Sequence, residues 1–402
     1  MATYSAIDRT RYAILAMGAL LQVLVWLDPV AGAAERETAS QTAEHIGSAR
    51  ELAAALRTGA PRRLLLAPGD YGEIELGKAA SNFWIGAADP ASPPRMSRIT
   101  ITGSRDVSLE NLIVEAKEAP RLPYQHLLGI LKSDNIRLVG LKVNGAKVLP
   151  SAELRGILIE DSSEVRIADS SFAACYRAVL AYRSKGLTLE HNDIAKMSSD
   201  GFNFAEVQDV SILQNRFGGF SPTPESHADY IQFWSDGTEK PSTNILIAEN
   251  VMLQTDPLDA AQGIFLQFQA RMPAQNIVVR DNVIVQSSPH GISLYNVNGG
   301  KLERNLVLSS PQSQYKVAVR VIDSSDISLT DNVSMAFGID NSRNVVRTRN
   351  AAVDFGDKQA LRGLQQAIEG LLAKDGGRLP INSSVTISAA HRSAGPRPVN
   401  QR

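Results

Sequence analysis

Six polar side chains stand at the head of one recurring phrase. Arg155-Gly156-Ile157, Arg177-Ala178-Val179, Asp200-Gly201-Phe202, Asp229-Tyr230-Ile231, Gln262-Gly263-Ile264 and His290-Gly291-Ile292 follow one another along the chain. The phrase also occurs with apolar heads, as Leu128-Gly129-Ile130 before this run and as Val317-Ala318-Val319 and Phe337-Gly338-Ile339 after it. Polarity is therefore confined to the middle, where the repeat itself does not require it. A base with cationic groups beside it can remove a proton next to a carboxylate. His227 or His290 supplies such a base, and Arg155, Arg177 or Arg320 the positive charge. Asp200 and Asp229, on adjacent repeats, form a carboxylate pair of the kind that hydrolyses glycosidic bonds, for which separations of roughly 5–5.5 Å or 6.5–9.5 Å are required. The same two could lend oxygen ligands to a Ca²⁺ ion, though two carboxylates make a thin site.

The elements that must position these residues are short strands. From about residue 99 to 353 apolar residues alternate in runs of four to six, the period of a half-buried strand. A second phrase places Asn after such a run, at Asn111, Asn192, Asn215, Asn250, Asn282, Asn305, Asn332 and Asn350. Repeat lengths wander between about 18 and 35 residues, which suits a coil whose turns vary in length better than a propeller. Asn stacked on Asn then forms a hydrogen-bonded ladder. The expected fold is all-β: a single-stranded right-handed parallel β-helix, a solenoid spanning residues 47–353, with short capping helices at both ends. A β-sandwich explains the alternation but not the fixed place of Asn.

In such a coil equivalent positions stack about 4.8 Å apart. The phrase heads form one column. Phe202, Ile231, Ile264, Ile292 and Val319 point inward, and two outward columns lie between them. One reads Asn203, Gln232, Phe265, Ser293 and Arg320; the other Tyr182, Ala205, Trp234, Gln267 and Tyr295. Aromatic faces beside amides hold sugar rings. The head column shares the parity of the core, so it reaches solvent only at the turn before each strand. The longest turns, 218–228, 235–243 and 255–261, enter or leave these same repeats, where long loops build cleft walls.

Composition limits the rest. The chain has 402 residues, 41 Lys+Arg against 42 Asp+Glu, and 44 % hydrophobic residues. That is enough apolar mass for a core and no basic surplus for nucleic acid. One cysteine, Cys175, excludes a disulfide framework and a cysteine-rich metal site. Arg9 and Arg11 precede an apolar run from Tyr12 to Leu27, followed by Ala31-Gly32-Ala33, the pattern of an export signal over residues 1–33. The run is short of the roughly 20 residues a bilayer span needs, so no other membrane association is expected. Residues 34–46 read as a linker, 354–376 as an amphipathic helix carried by Leu361, Leu364, Ile368, Leu371 and Leu372, and 377–402 as a flexible tail. A periplasmic or secreted protein follows.

The Asn ladder, and Leu66-Ala67-Pro68-Gly69-Asp70-Tyr71 after a short helix, resemble the pectin-lyase-like superfamily of right-handed β-helices, which contains polysaccharide lyases, mannuronan epimerases and polygalacturonases. Ser199-Asp200-Gly201-Phe202, Asp229-Tyr230-Ile231, Pro289-His290-Gly291-Ile292 and Val319-Arg320-Val321-Ile322 are similar, in order, to polygalacturonase segments. Ala228 and Ile322 stand where that pattern has Asp and Lys. His227-Ala228-Asp229 instead resembles the His-Asp segment of alginate epimerases. The resemblance implies an acidic, uronate-containing polysaccharide as partner, with β-elimination or C5 epimerisation expected, hydrolysis as the alternative, and a non-catalytic glycan-binding or structural β-helix as a third reading. It implies Asp200, Asp229, His290, His227 and Arg320 as catalytic residues. Arg155, Arg177, Asn203, Gln232, Trp234, Gln262, Gln267, Tyr295 and Tyr182 would contact substrate. Plainer readings stand beside these: the aspartates as turn residues, the histidines hydrogen-bonded or solvated, the arginines paired with surface acids such as Glu160, and the aromatics packed under loops.

Overall fold

The computed structural model describes residues 42–354 apart from 78–79, 118–124, 146–153, 223–226 and 255–260, and several positions between 356 and 370. The expected export signal, most of the linker and the tail lie outside the described residues.

Alternating apolar residues produce a coil with three strand-bearing faces, every adjacent pair parallel. The first face carries His126–Leu131, Arg155–Glu160, the first part of Val179–Glu190 and of Phe202–Leu213, then Asp229–Trp234, Gln262–Gln267, His290–Tyr295, Ala318–Ile322 and Ala336–Asp340. The second face runs through Arg105–Glu110, Asp134–Val139 and Ser163–Ala168 to Arg343–Thr348. The third is an 11-stranded sheet of short segments from Arg95–Met96 to Ala351–Ala352. Inward residues of the first face stack as expected. Ile157, Val179, Phe202, Ile231, Ile264, Ile292 and Val319 pair in register and are buried. Phe204 and Phe233 stack in the core with ring centroids 4.6 Å apart.

Sharp corners need residues that tolerate the left-handed backbone region, which Asn, Asp and Gly do best. Asp106, Asn135, Gly186, Asp209, Asn244, Asn276, Gly299, Asp326 and Asn344 all have positive φ at one corner of successive turns. Some also bond upward, Asn276 Nδ2 donating to Asn244 Oδ1 at 3.0 Å and Asn244 Nδ2 to Asp209 Oδ1 at 2.8 Å.

A second corner holds the buried ladder. The backbone N–H of Asn192, Asn215, Asn250, Asn282, Asn305 and Asn332 each donates to the amide oxygen of the next Asn at 2.9–3.1 Å, ending on Asn350. Asn111 is not a member. It sits one residue earlier, at positive φ, and Ser170 continues the ladder downward by accepting from Leu141 N–H at 3.0 Å. A serine ladder, unforeseen from sequence, fills a further corner through Ser104, Ser133, Ser162 and Ser184. Asn250 satisfies Asn215 N–H and donates to Ile212 O at 2.9 Å. Asn250→Ala strands these groups and should cost on the order of 3 kcal/mol in urea unfolding. Asn244→Ala, on the exposed ladder, should cost only about 1 kcal/mol, chiefly because Ala tolerates its left-handed φ of 57° less well than Asn does.

The first end is covered by the helix Ala49–Arg57, which starts in a capping box: Glu51 N–H donates to Ser48 Oγ and Gly47 N–H to Glu51 Oε2. Its Leu52 and Ala55 join the core of Ile46 and Leu64. Toward the other end the described positions between 359 and 370 are helical, and Leu361 enters the same core. The remaining apolar positions of that expected helix lie outside the described side chains. No helix among the described residues is long and apolar enough to cross a membrane.

Candidate functional site

The phrase heads do come into vertical register on the first face. Asp229 pairs directly with Gln262, and the adjoining ladders carry Arg155, Arg177, Asp200 and His290 to the same level. Glycine after a head residue has a steric cause. A Cβ on Gly201 would lie 2.5 Å from Tyr230 O, and one on Gly263 2.0 Å from Gly291 O, so the coils close tightly just inside the column. Two phrase alignments differ from expectation. Leu128 pairs with Ile157, which puts His126, not Leu128, opposite Arg155. A bulge after His290 sets it opposite Ala318 rather than Val317, and on the next turn Val319 pairs with Phe337, so the Phe337 phrase is shifted by two. Matching on the Gly-Ile dipeptide hid His126, because Leu127 stands there in place of Gly.

The column sits at the corner before or at the first residue of each strand, and it meets water unevenly. Arg155, Arg177, Gln262 and His290 are half-buried, whereas Asp200 and Asp229 are 2 % and 0 % exposed. The expectation that all six meet solvent together is corrected for the carboxylates. Their parity with Phe202 and Ile231 draws them under the surface, and the residues around them take over the solvent boundary.

The two aspartates have opposite surroundings. Asp200 Oδ2 accepts from Arg177 Nη2 at 2.7 Å, Arg177 Nε at 2.9 Å and Asn203 Nδ2 at 2.8 Å, and Oδ1 from Asp229 N–H at 3.1 Å. This is a positioned structural anion, and it identifies the acid that pairs with Arg177. The expected pairing of surface arginines with Glu160 falls to Arg183. Asp229 has neither carboxylate oxygen aligned in a hydrogen bond, although His227 Nδ1 lies 3.1 Å from Oδ2, within ion-pair reach. Burial, opposed by His227 and reinforced by Asp200, pushes the Asp229 carboxyl up to about 7. His227 is raised in turn, chiefly by its contact with Asp229. Its ring is largely exposed, and its Nε2 lies 2.7 Å from Gln262 Nε2.

Phe265 separates His227 from His290, its ring centroid 5.5 Å from one and 5.2 Å from the other, both edge-to-face. His290 Nδ1 is 3.0 Å from Ser293 Oγ. Burial first, then Arg320 and His227, push His290 down to about 4. Phe265 is itself buried, with Tyr295 leaning on it at 5.6 Å, so neither ring face is left open as an isolated platform. Tyr182 and Trp234 lie parallel, centroids 6.3 Å apart, with Ala205 paired between them. Trp234 Nε1 donates to Asn203 Oδ1, and Asn203 Nδ2 to Gln232 Oε1 at 2.5 Å, tying both outward columns to Asp200. Gln267 is exposed beside Trp234. At the lower end, Tyr176 lies near Arg155 at 5.5 Å and Arg177 at 5.8 Å, and His126 is pushed down to about 4 by burial and by those arginines.

The donor set does not fit Ca²⁺. Calcium takes six to eight oxygen ligands, but Asp200 is committed to a guanidinium and an amide, and Asp229 is shut from solvent. Among the described residues no three His, Cys, Asp or Glu side chains gather as a metal site.

Linkage gives a stability signature. The folded Asp229 carboxyl titrates near 7 and the unfolded one at about 3.9. The folded state therefore holds the extra proton between these values, and the contribution of Asp229 to stability falls as pH rises through that window. His126 and His290, both lowered to about 4, work oppositely by raising stability as pH climbs toward the unfolded histidine value. Asp229→Asn should remove the decline. The variant's unfolding midpoint, relative to the parent, should improve between about pH 4 and pH 7.

Residues 155–334 match the family described as right handed beta helix region. A variant of the periplasmic alginate epimerase AlgG is 15 % identical over 70 % of this chain and 78 % of that one, with a TM-score of 0.51. The A-module of mannuronan C-5 epimerase AlgE6 from Azotobacter vinelandii is 12 % identical over 75 % and 93 %, with a TM-score of 0.49. Pectate lyase Pel9A is 12 % identical over 79 % and 83 %, at 0.47. No curated protein matches the chain by sequence. Similarity at these identities is similarity of architecture, and the architecture is a right-handed parallel β-helix.

Proposed function

We propose that the protein is an exported enzyme acting on a uronate-containing polysaccharide by removing the proton beside the sugar carboxylate, leading to β-elimination or C5 epimerisation. The observation that carries this reading is the pair of histidines facing one phenylalanine, with proton affinities pushed apart. Separated affinities in one site assign acid and base. His290 is neutral at pH 7 and can accept the proton, its affinity rising as a substrate carboxylate enters beside it. Arg320, whose charge acts on His290, is placed to neutralise that carboxylate and stabilise the carbanion. His227, backed by Asp229, returns a proton either to the opposite face of the carbon or to the departing glycosidic oxygen. The first outcome is epimerisation, the second elimination, and each balances one proton taken with one given. Trp234, Tyr182, Gln232 and Gln267 offer a flanking surface of rings and amides for neighbouring sugars.

The hydrolytic alternative loses support because one of its two carboxylates, Asp200, is held by Arg177. A panel of polyuronates, read together by ultraviolet absorbance of unsaturated ends and by reducing-end assay, separates the readings. Absorbance with new ends marks elimination. Reducing ends alone mark hydrolysis and refute the proposal. With neither signal, a ¹H spectrum of the polymer showing converted uronate marks epimerisation, and retained oligosaccharide with an unchanged spectrum supports the non-catalytic binder instead.

A further inference from the structure

Gln262 has an unexplained arrangement. Among the described residues its Oε1 is buried with no hydrogen-bond partner, as is Oδ1 of Asp229, its direct neighbour on the adjoining strand, while Asp229 Oδ2 has His227 Nδ1 at 3.1 Å. Two buried acceptors side by side without donors are costly, since each carries a desolvation penalty. Meanwhile Gln262 Nε2 donates to His227 Nε2, which fixes the ring proton on Nδ1, facing Asp229. A single added proton resolves the orphans: a neutral Asp229 carboxyl can donate to Gln262 Oε1. A half-turn of the amide gives a second solution with the same number of protons. The amide NH₂ then donates to an ionised Asp229, and Oε1 accepts from a newly protonated His227 Nε2. The two amide orientations differ only in which end is oxygen and which nitrogen.

We propose that the Gln262 side-chain amide is a two-position switch whose orientation decides whether one proton rests on buried Asp229 or on the Nε2 of exposed His227. Gln262 is then a positioning residue rather than a substrate contact. In one position His227 is neutral, with Nδ1 protonated. In the other it is an imidazolium whose Nε2–H faces the groove, ready to donate once a substrate oxygen displaces the amide. The amide carries no proton itself: one leaves Asp229 for water and one reaches Nε2 from water, so the count within the pair is unchanged. The charged groups acting on the pair are Asp200 and Arg177 on Asp229, Asp200 on His227, and His290 across Phe265. Arg177 and Asp200 largely cancel, since they are bound to each other. The inference rests on the reading of His227 and Asp229 as the proton-donating pair.

Histidine-selective ¹⁵N NMR of the full chain tests the switch without any polysaccharide, with the His227 signals assigned from His227→Gln. In the parent, Nδ1 should stay protonated throughout, and Nε2 should be partly protonated near neutral pH. A neutral ring carrying its proton on Nε2 alone overturns the proposal. Gln262→Glu, which can only accept, should hold the imidazolium and raise the His227 titration by about one pH unit or more. Gln262→Met, isosteric and silent, should lower it. Shifts in the same direction, or none, refute the switch even where the polymer assay succeeds. On a responsive polymer Gln262→Met should lower kcat by about tenfold with KM unchanged. A polymer panel that stays silent while the opposed shifts appear would remove the catalytic reading and leave the switch standing.

Discussion

Replacing His290 by Gln should lower kcat on a responsive polyuronate by about 10²–10⁴-fold, the range for loss of a positioned general base, with little change in KM. Glutamine keeps a hydrogen-bonding group toward Ser293 Oγ, which lies 3.0 Å from the ring nitrogen. It also fills similar volume beside Phe265, whose centroid is 5.2 Å from the imidazole. What it loses is a nitrogen able to take a proton. Because burial and Arg320 keep His290 unprotonated well below neutrality, the parent should lose activity in acid only near the titration of the substrate-bound ring. Arg320→Met should raise KM and lower kcat together, since the charge that draws in the carboxylate is also the one that steadies the carbanion. Unchanged kcat in His290→Gln, with far-ultraviolet dichroism like the parent's, would show the base to lie elsewhere.

Asp200→Ala should destabilise the protein by roughly 3–5 kcal/mol, because removing one partner of a buried pair leaves the other charge uncompensated. Arg177 keeps 16 % of its side-chain exposure and donates twice to Asp200, so it has little water to turn to. Asn203 and the Asp229 N–H lose acceptors in the same stroke. Asp200→Asn should cost less, because an amide oxygen can still accept from Asp229 N–H. Removing the negative charge at Asp200 should also lower the Asp229 carboxyl, which Asp200 raises. A denaturant midpoint for Asp200→Ala equal to the parent's would mean that the pair contributes nothing to stability.

The fold was readable because its two rules are local. Alternation marks each strand, and the recurring Asn marks one corner, since only a stacked amide satisfies a backbone N–H and its own NH₂ on every turn. Asn111 misled because it precedes a strand in the same way yet occupies the left-handed corner beside the ladder slot. The serine ladder did have a signal, a Ser three residues before the apolar residue that opens each run at Val107, Ile136, Val165 and Leu187, but Ser is common at turns and the Asn at the other end of the run is the more conspicuous mark. The site column was readable in phase, since Arg155 through His290 share the spacing of their inward neighbours. Its depth was not. Whether a head residue reaches water depends on how the corner is covered, and the His227 ring over Asp229 is a tertiary fact. His126 escaped because the glycine of its strand, Gly129, stands two residues late and makes Leu128 look like the head. The tautomer of His227 depends on Gln262, a residue 35 positions away that only the coil brings within 2.7 Å.

The central claim is that this face of the coil removes the proton beside a uronate carboxylate, with His290 accepting it. Elimination destroys that C–H bond, and epimerisation in D₂O replaces it by C–D. One measurement therefore covers both: the ¹H resonance of the carboxylate-bearing carbon of a polyuronate incubated with the protein in D₂O. The resonance should disappear with the parent and persist with His290→Gln. A polymer that is shortened by the parent while this resonance stays at full intensity would contradict it.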